Sequence, residues 1–295
     1  MRMLVIALLL IFTLAAPTHA QYARDMTPTP MPNPYPPPPY ALDEETITNI
    51  RDIFALGQRY GNRPDVFSKI GDSITVSPYF LTPIGLGDYD LAGFGYLQPV
   101  IDHYIGTPAR YQYNSFINPS LSAGVGWAAY WSLSPRYADV DVCAENEPPL
   151  MCEYRIVQPS VALIMYGTND VGYRSQDDFR NDLTRIVQIS AGMGVIPVLS
   201  TIPNRPDMPY ETAMFNHIIA QVADLYHIPL WDFYSISVSL PDFGLAWDRI
   251  HPSHPPNDIV STANFQPENL RYGYTLRNVS ALEMLYTVWW HLGLG

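Results

Sequence analysis

Short apolar runs alternate with longer amphipathic stretches through most of this 295-residue chain, from Leu42 to Leu292. The run SVALIMY at 160–166 is the clearest strand, and VIPVLSTI at 195–202 follows the same pattern. Strands that alternate with helices need long crossover connections, since tight two-residue turns join only antiparallel strands. The alternation therefore predicts an α/β protein with a central parallel sheet and helices on both faces.

The individual elements follow from apolar periodicity and from glycine or proline at their ends. The predicted strands are 65–70, 160–166, 195–202 and 228–233, and the predicted helices are 43–58, 95–105, 176–191, 210–226 and 279–292. Parallel sheets of this kind bind ligands beyond the carboxyl ends of their strands. The motif GDS follows the first strand and GTND follows the second, so we expect Ser73 and Asn169 on one rim of the sheet.

Composition limits the class of partner. A hydrophobic content of 47% and a net charge of -12 suit one large domain or two small ones. Lys69 is the only lysine beside fifteen arginines, and no basic cluster is present that could neutralise a phosphate backbone. The chain is therefore not expected to bind nucleic acid.

The first residues have the pattern of an export signal. Residues 1–20 begin with a basic residue, continue as an apolar run and end in small residues, whereas a retained membrane anchor is the alternative. Residues 21–41 are proline-rich and predict an extended linker, which leaves 42–295 as the folded domain. We expect a secreted protein, extracellular or periplasmic, with no stable membrane insertion after signal cleavage.

Export makes the two cysteines informative. Cys143 and Cys152 flank a proline pair in CAENEPPLMC, where a turn could bring the two thiols together. A disulfide is the prediction for an oxidising compartment, and two separately buried thiols are the alternative. The pair offers too few ligands for a metal site, and we predict no metal.

Ser73 can be a nucleophile only if a base removes its proton and another group orients that base. The segment WDRIHPSHPP at 247–256 provides candidates, because Asp248 and His251 stand three residues apart in a proline-rich turn. The Asp248 carboxylate could hold one ring nitrogen and leave the other for Ser73. His254 is a competing base, and the same residues also have ordinary roles in turns.

A serine esterase further needs hydrogen-bond donors where negative charge develops on the substrate carbonyl oxygen. Asn169 at a strand end fits this role because its amide donates without titrating. The N–H of Ser73 and the N–H of a glycine in NPSLSAGVGW at 118–127 complete the candidate set.

In their order along the chain, GDS, the glycine-bearing segment, GTND and DRIH resemble the four blocks of the SGNH (GDSL) esterase and lipase superfamily. The resemblance covers about 65–295 and implies a three-layer α/β/α sandwich with a flavodoxin-like parallel sheet. It implies Ser73 as nucleophile, His251 as general base and acid, and Asp248 as its orienting group. It also implies an oxyanion hole of Ser73, Asn169 and a glycine, for which we choose Gly124 over Gly126, and no cofactor.

The segment 74–95 departs from the family pattern, in which a helix follows the nucleophile promptly. It is rich in glycine, proline and aromatic residues, and it either overhangs the site or packs as a structural loop. Tyr79 and Phe80 are its predicted substrate contacts.

The predicted function is a secreted serine esterase that acts on small-molecule, glycan or lipid esters. Within that class, a carbohydrate O-acetyl esterase is one candidate, and a lipase or lysophospholipase is the alternative. A non-catalytic glycan-binding or surface module of the same fold is the rival from another class. The sequence does not distinguish the natural ester.

Overall fold

The computed structural model describes residues 36–256 and 258–295, and these belong to one structural unit. The expected export signal and most of the expected linker lie outside the described residues. The helices are α1 Glu44–Tyr60, α2 Ser73–Val76, α3 Thr82–Leu86, α4 Gln98–Ile105, α5 Pro149–Val157, α6 Gln176–Gly192, α7 Pro209–Leu225, α8 Phe233–Ser237 and α9 Gly273–His291. The strands are β1 Arg63–Gly71, β2 Pro108–Arg110, β3 Tyr113–Asn114, β4 Pro159–Met165, β5 Ile196–Ser200 and β6 Leu230–Trp231.

The central sheet has four strands in the order β1-β4-β5-β6, and each neighbouring pair is parallel. Every residue of β4 is buried, as expected for a strand covered on both faces. Helix α9 contacts α1 and α4, whereas α6 contacts α7, so helices flank the sheet. The predicted α/β fold with a central parallel sheet is confirmed.

Local signals explain why the elements begin and end where they do. The Asp43 carboxylate accepts a hydrogen bond of 2.7 Å from the N–H of Thr46 and caps the first turn of α1. Gly61 ends the helix with a φ of 86°, a left-handed conformation that favours glycine. These caps lie close to the predicted ends of that helix.

Two of the differences from the predictions have a local physical reason. The proline pair at 148–149 begins helix α5 instead of making a turn alone, because proline is well tolerated in the first turn of a helix. Helix α9 begins at Gly273, ahead of its predicted start at 279. Its whole circumference is largely buried, so the one-sided periodicity that marks a surface helix is weak there.

The segment after β3 extends the sheet beyond β1. Ala123 forms a parallel bridge with Gly71, the last residue of β1. The Gly71 N–H donates to the Ser122 carbonyl at 3.3 Å, and the Gly124 N–H donates to the Gly71 carbonyl at 3.1 Å. This bridge places the glycine-bearing segment directly beside the GDS motif.

Cys143 and Cys152 lie at disulfide distance, with their sulfur atoms 2.07 Å apart. Together with Glu147 they form the one group of three potential metal ligands found among the described residues. Because the two sulfur atoms are at bonding distance from each other, this group does not supply a metal site.

Within the described residues, the helices are either too short or too polar to cross a membrane.

Candidate active site

Ser73 begins the short helix α2, immediately after strand β1. The side chain of Asp72 caps that helix by accepting a hydrogen bond of 2.9 Å from the N–H of Ile74. The Ser73 hydroxyl is then held at the carboxyl edge of the sheet. Its Oγ lies 2.8 Å from Nε2 of His251, so the two groups form a hydrogen bond.

His251 is oriented by Asp248 through a compact turn. The Asp248 Oδ2 lies 2.6 Å from Nδ1 of His251, and its Oδ1 accepts the N–H groups of Ile250 and His251 at 3.0 Å each. Partial burial raises the pKa of Asp248, but the hydrogen bonds from the His251 side chain and from these N–H groups outweigh it and hold the pKa below its ordinary value. An ionised carboxylate therefore faces Nδ1.

The three side chains form one continuous series of hydrogen bonds. Since an ionised carboxylate only accepts, Nδ1 carries the proton, and Nε2 is the ring nitrogen that accepts from the Ser73 hydroxyl. Such a series can take the hydroxyl proton as the oxygen attacks a carbonyl carbon. The structure brings Ser73, His251 and Asp248 together in the arrangement that this chemistry requires.

His254, the competing base, lines the same cavity as Ser73, but the ring that forms the hydrogen bond with Ser73 is that of His251. The His254 ring stacks on Tyr79 with centroids 4.0 Å apart, and its Nδ1 lies 2.8 Å from the carbonyl oxygen of Pro255. Tyr79 lines the cavity that contains Ser73. The stack therefore forms part of the cavity wall.

Phe80 does not line the site. It is 1% exposed and packs against Trp231 and the guanidinium group of Arg277. Its prediction as a substrate contact is corrected: the neighbouring residues Tyr79 and Phe80 point in different directions, one to the cavity and one to the core.

Asn169 follows β4 in the GTND motif and lies beside the aromatic residue Trp127. Its Nδ2 donates to the Trp127 carbonyl at 3.0 Å. An amide nitrogen carries two hydrogens, so one further hydrogen is available for a substrate oxygen. This remaining donor follows β4, at the same edge of the sheet as Ser73, which suits the predicted oxyanion role.

Gly124 does not offer its N–H to a substrate, because that group already donates to the Gly71 carbonyl. The prediction of Gly124 as the oxyanion glycine is therefore corrected. Ala123 lies between the two residues that bond to Gly71, and backbone N–H groups point in alternating directions along an extended chain. The Ala123 N–H has no acceptor among the residues that the structure describes.

The segment 74–95 is anchored to the body of the protein. Asn278 of helix α9 accepts the N–H of Leu81 at 2.9 Å and donates to the carbonyls of Tyr79 and Thr262, at 2.8 and 3.0 Å. Asp90 forms a bridge with Asn264 further along. These contacts are those of a packed structural loop that also presents Tyr79 to the site.

The cavity around Ser73, here the catalytic cavity, has a volume of about 380 Å³. Its wall includes the side chains of Val76, Val125 and Tyr274. Trp247, the neighbour of Asp248, is 94% exposed at the edge of this cavity. An exposed indole so close to the reacting groups offers a flat face to a substrate.

Several buried ionisable groups lie close to the site, and the motifs assign them no role. Burial raises the pKa of Asp72 to about 6 and that of Asp170 to about 7. Burial also lowers the pKa of Arg277 to about 10, and its guanidinium stacks on aromatic rings of the core. The sequence signal for Asp72 and Asp170 was their acidic position inside GDS and GTND, whereas Arg277 belongs to neither motif.

A family model described as the GDSL-like lipase/acylhydrolase family matches residues 70–255, which is more than half of the chain. The chain belongs to this family. As a GDSL-like lipase/acylhydrolase, it is a carboxylic ester hydrolase. Comparison with curated protein sequences gives no match.

Three of the solved structures to which this chain is similar are a lipase/acylhydrolase, an α/β hydrolase and an acetylxylan esterase. A lipase/acylhydrolase from Enterococcus faecalis is 18% identical, with 75% of this chain and 94% of that chain covered and a TM-score of 0.45. LAE5, an α/β hydrolase from the metagenome of Lake Arreo, is 17% identical, with 76% and 96% covered and a TM-score of 0.47. Axe2, an acetylxylan esterase from Geobacillus stearothermophilus, is 17% identical, with 76% and 95% covered and a TM-score of 0.45.

Proposed function

We propose that this GDSL-like hydrolase is an exported serine esterase that uses Ser73, His251 and Asp248 as a catalytic triad. The observation that carries the proposal is the hydrogen-bond series from Ser73 Oγ to His251 Nε2 and from His251 Nδ1 to Asp248 Oδ2. In this role, no metal or organic cofactor takes part in the reaction.

The reaction has two halves. Ser73 Oγ bonds to the ester carbonyl carbon while its proton passes to His251 Nε2, and the developing oxyanion accepts hydrogen bonds from the N–H groups of Ser73 and Ala123 and from Asn169 Nδ2. The bond to the alcohol oxygen then breaks, and His251 gives its proton to that oxygen. In the second half, water attacks the acyl carbon while His251 Nε2 takes its proton. The bond between that carbon and Ser73 Oγ then breaks, His251 returns the proton to Ser73 Oγ, and the carboxylic acid leaves.

Substitution of the nucleophile tests the mechanism. We expect purified Ser73→Ala protein to lose nearly all hydrolysis of p-nitrophenyl acetate, and a fluorophosphonate probe to label the wild-type chain at Ser73 alone. Ser77→Ala is the matched control, because Ser77 lines the same cavity but lacks a hydrogen bond to His251. Full activity of Ser73→Ala would overturn Ser73 as the nucleophile. A wild-type protein that is both inactive and unlabelled would support the non-catalytic module instead.

For the substrate, we favour a carbohydrate ester such as an O-acetylated polysaccharide. Trp247 stands exposed at one side of the catalytic cavity. On the side of Asn169, Trp131 and Tyr137 stack with centroids 4.4 Å apart next to Trp127. An exposed aromatic face beside the reacting groups, and an aromatic cluster next to the proposed donor Asn169, suit the apolar faces of sugar rings.

A comparison of substrates separates this candidate from a lipid esterase. We expect release of acetate from acetylated xylan and a steep loss of activity as the acyl chain of p-nitrophenyl esters lengthens. Trp247→Ala should weaken turnover of the polysaccharide more than that of p-nitrophenyl acetate. A preference for long acyl chains or for lysophospholipid would favour the lipase alternative.

Export remains part of the proposal and depends on residues 1–20. Expression of the full chain in a secreting host, followed by amino-terminal sequencing, should give a mature protein that begins near Gln21. A protein that keeps its first residues and remains with the membrane fraction would favour the retained anchor.

A further inference from the structure

A second cavity adjoins the catalytic cavity, and we call it the side pocket. It has a volume of about 230 Å³ and shares Val76 and Ser77 with the catalytic cavity. Its wall also includes Ala123, the proposed backbone donor to the oxyanion. A substrate whose carbonyl group lies at Ser73 can therefore extend another part of the molecule toward this pocket.

Three polar side chains line the side pocket although each is more than nine-tenths buried. Lys69, the only lysine of the chain, is 8% exposed, and Thr75 and Asn118 are 3% exposed each. A lysine is almost never buried unless its ammonium group is paired. The pocket thus concentrates polar groups at a depth where protein interiors are normally apolar.

The hydrogen-bonding capacity of these groups is mostly unused. Thr75 Oγ1 and Asn118 Oδ1 are buried and have no partner within the described ranges. The Lys69 ammonium has three donors, and its one acceptor in those ranges is the Phe116 carbonyl oxygen. Leaving buried polar atoms without partners is costly, so their presence here needs an explanation.

Glu153, the acidic side chain whose charge acts on Lys69, does not fill this capacity. Its Oε1 accepts from the Ser68 hydroxyl at 2.7 Å, and its Oε2 accepts from the Leu121 N–H at 2.8 Å. Within the described part of the chain Glu153 forms neither a hydrogen bond nor an ion pair with Lys69, so the free donors of Lys69 are not taken up by this neighbour.

The unpaired set defines what would fit. Asn118 Oδ1 needs a donor, the Lys69 ammonium needs acceptors, and the Thr75 hydroxyl can serve as either. An alkyl group would leave all three unpaired, and a carboxylate would satisfy Lys69 but offer no donor to Asn118. A hydroxyl group both donates and accepts, so it matches all three.

We propose that the side pocket is a subsite for a hydroxyl-bearing part of the ester substrate, held by Lys69, Thr75 and Asn118. The inference rests on the proposed esterase function and deepens it. The hydroxyl group belongs either to the alcohol part, as in a sugar, or to the acyl part, as in a hydroxy acid. The two sources share the same recognition chemistry.

Matched ester pairs distinguish the sources. In the alcohol arm, a methyl glucoside acetylated at its 6-hydroxyl is compared with cyclohexylmethyl acetate, which has a ring of similar size without hydroxyl groups. In the acyl arm, ethyl 3-hydroxybutyrate is compared with ethyl butyrate. We expect a higher kcat/KM for the hydroxylated member of one pair.

Isosteric variants connect that preference to the pocket. Thr75→Val and Asn118→Leu should each lower kcat/KM for the preferred hydroxylated ester by about three- to tenfold, the value of one lost neutral hydrogen bond. The plain ester of the pair should change less than twofold. Thr275→Val is the matched control, since Thr275 Oγ1 is also buried without a partner but lies outside the pocket.

If neither ester pair shows a hydroxyl preference, or if both variants leave the preference intact, the inference is overturned. The side pocket would then hold only water. Calorimetry with Ser73→Ala protein measures the same effect on binding. A hydroxyl preference in binding without Ser73-dependent hydrolysis would contradict the proposed function and leave the subsite standing. Ser73-dependent hydrolysis without a hydroxyl preference would support the proposed function and overturn the subsite.

Discussion

His251 shows how much of this site depends on single residues. Its ring is fixed at one nitrogen by Asp248 and contacts Ser73 with the other. Asp248 also accepts two backbone N–H groups of the same turn, so one carboxylate sets both the ring and the turn that presents it. The short aspartate side chain reaches both the backbone N–H groups of this four-residue turn and the ring of His251.

Replacing Asp248 with asparagine should therefore impair catalysis without unfolding the turn. Asparagine keeps an oxygen for the backbone, but its amide favours the wrong tautomer of His251, and we expect kcat/KM to fall about 10³- to 10⁴-fold. Steady-state hydrolysis of p-nitrophenyl acetate measures the loss. Asp242 is an exposed acid that precedes this segment, and Asp242→Asn should keep full activity. A loss of less than tenfold in Asp248→Asn would contradict the proposed role.

The oxyanion role of Asn169 makes a second prediction for one residue. Asn169→Ala should lower kcat by about 10²- to 10³-fold with little change in KM, because the lost hydrogen bond strengthens only as the oxyanion forms. Asn49→Ala is the control, since its amide also donates to backbone carbonyls but lies in α1, which contributes nothing to the site. A rise in KM at unchanged kcat would indicate substrate binding instead.

At the scale of elements, site residues that lie close together in sequence could be predicted, whereas contacts between segments distant in sequence could not. Ser73 at a strand end, and Asp248 with His251 in one turn, could be placed because their spacing fixes their geometry. Whether Gly124 has a free N–H depends on the bridge to Gly71, whose partner lies far away in sequence. The burial of Phe80 likewise depends on Trp231 and α9, which no local pattern contains.

Helix α9 fixes the loop that carries Tyr79, and Asn278 is the main contact. Asn278→Ala would leave the N–H of Leu81 and the carbonyls of Tyr79 and Thr262 without this partner, so we expect a loss of about 2 to 4 kcal/mol in the free energy of unfolding. Urea denaturation measures it. Loosening of Tyr79 should also raise KM.

Thr275→Val, in the same helix, provides the comparison for Asn278→Ala. It removes a buried hydroxyl that has no partner among the described residues, so stability should be unchanged or slightly higher. If both variants lost stability equally, the effect would belong to helix packing and not to the anchoring hydrogen bonds.

At the scale of the whole molecule, the parallel sheet gathers groups that are distant in sequence. Ser73 follows β1, Asn169 follows β4, and the bridge at Ala123 extends the same edge. The site is therefore built at the carboxyl edge of the sheet, where such folds bind ligands. This edge also buries Asp72 and Asp170, which adds an electrostatic cost to a chain with a net charge of -12.

That cost predicts how stability depends on pH. The pKa of Asp170 is raised by burial to about 7, so between the ordinary value near 4 and pH 7 the folded state keeps a proton that the unfolded state has lost. The free energy of unfolding should fall through this range and level off above it. Asp170→Asn keeps an oxygen for the Ala129 N–H, which Asp170 accepts at 3.0 Å, but carries no charge.

Asp170→Asn should therefore flatten the pH dependence and gain roughly 2 to 4 kcal/mol over the wild type at pH 8, but nothing at pH 4. Urea denaturation between pH 4 and 8 measures both proteins, with the exposed Asp141→Asn as the matched loss of charge. Burial also raises the pKa of Asp72, to about 6, so the free energy of unfolding of Asp170→Asn should still depend on pH, but less steeply than that of the wild type. Parallel curves for Asp170→Asn and wild type would show that Asp170 is already ionised in the folded protein at acidic pH.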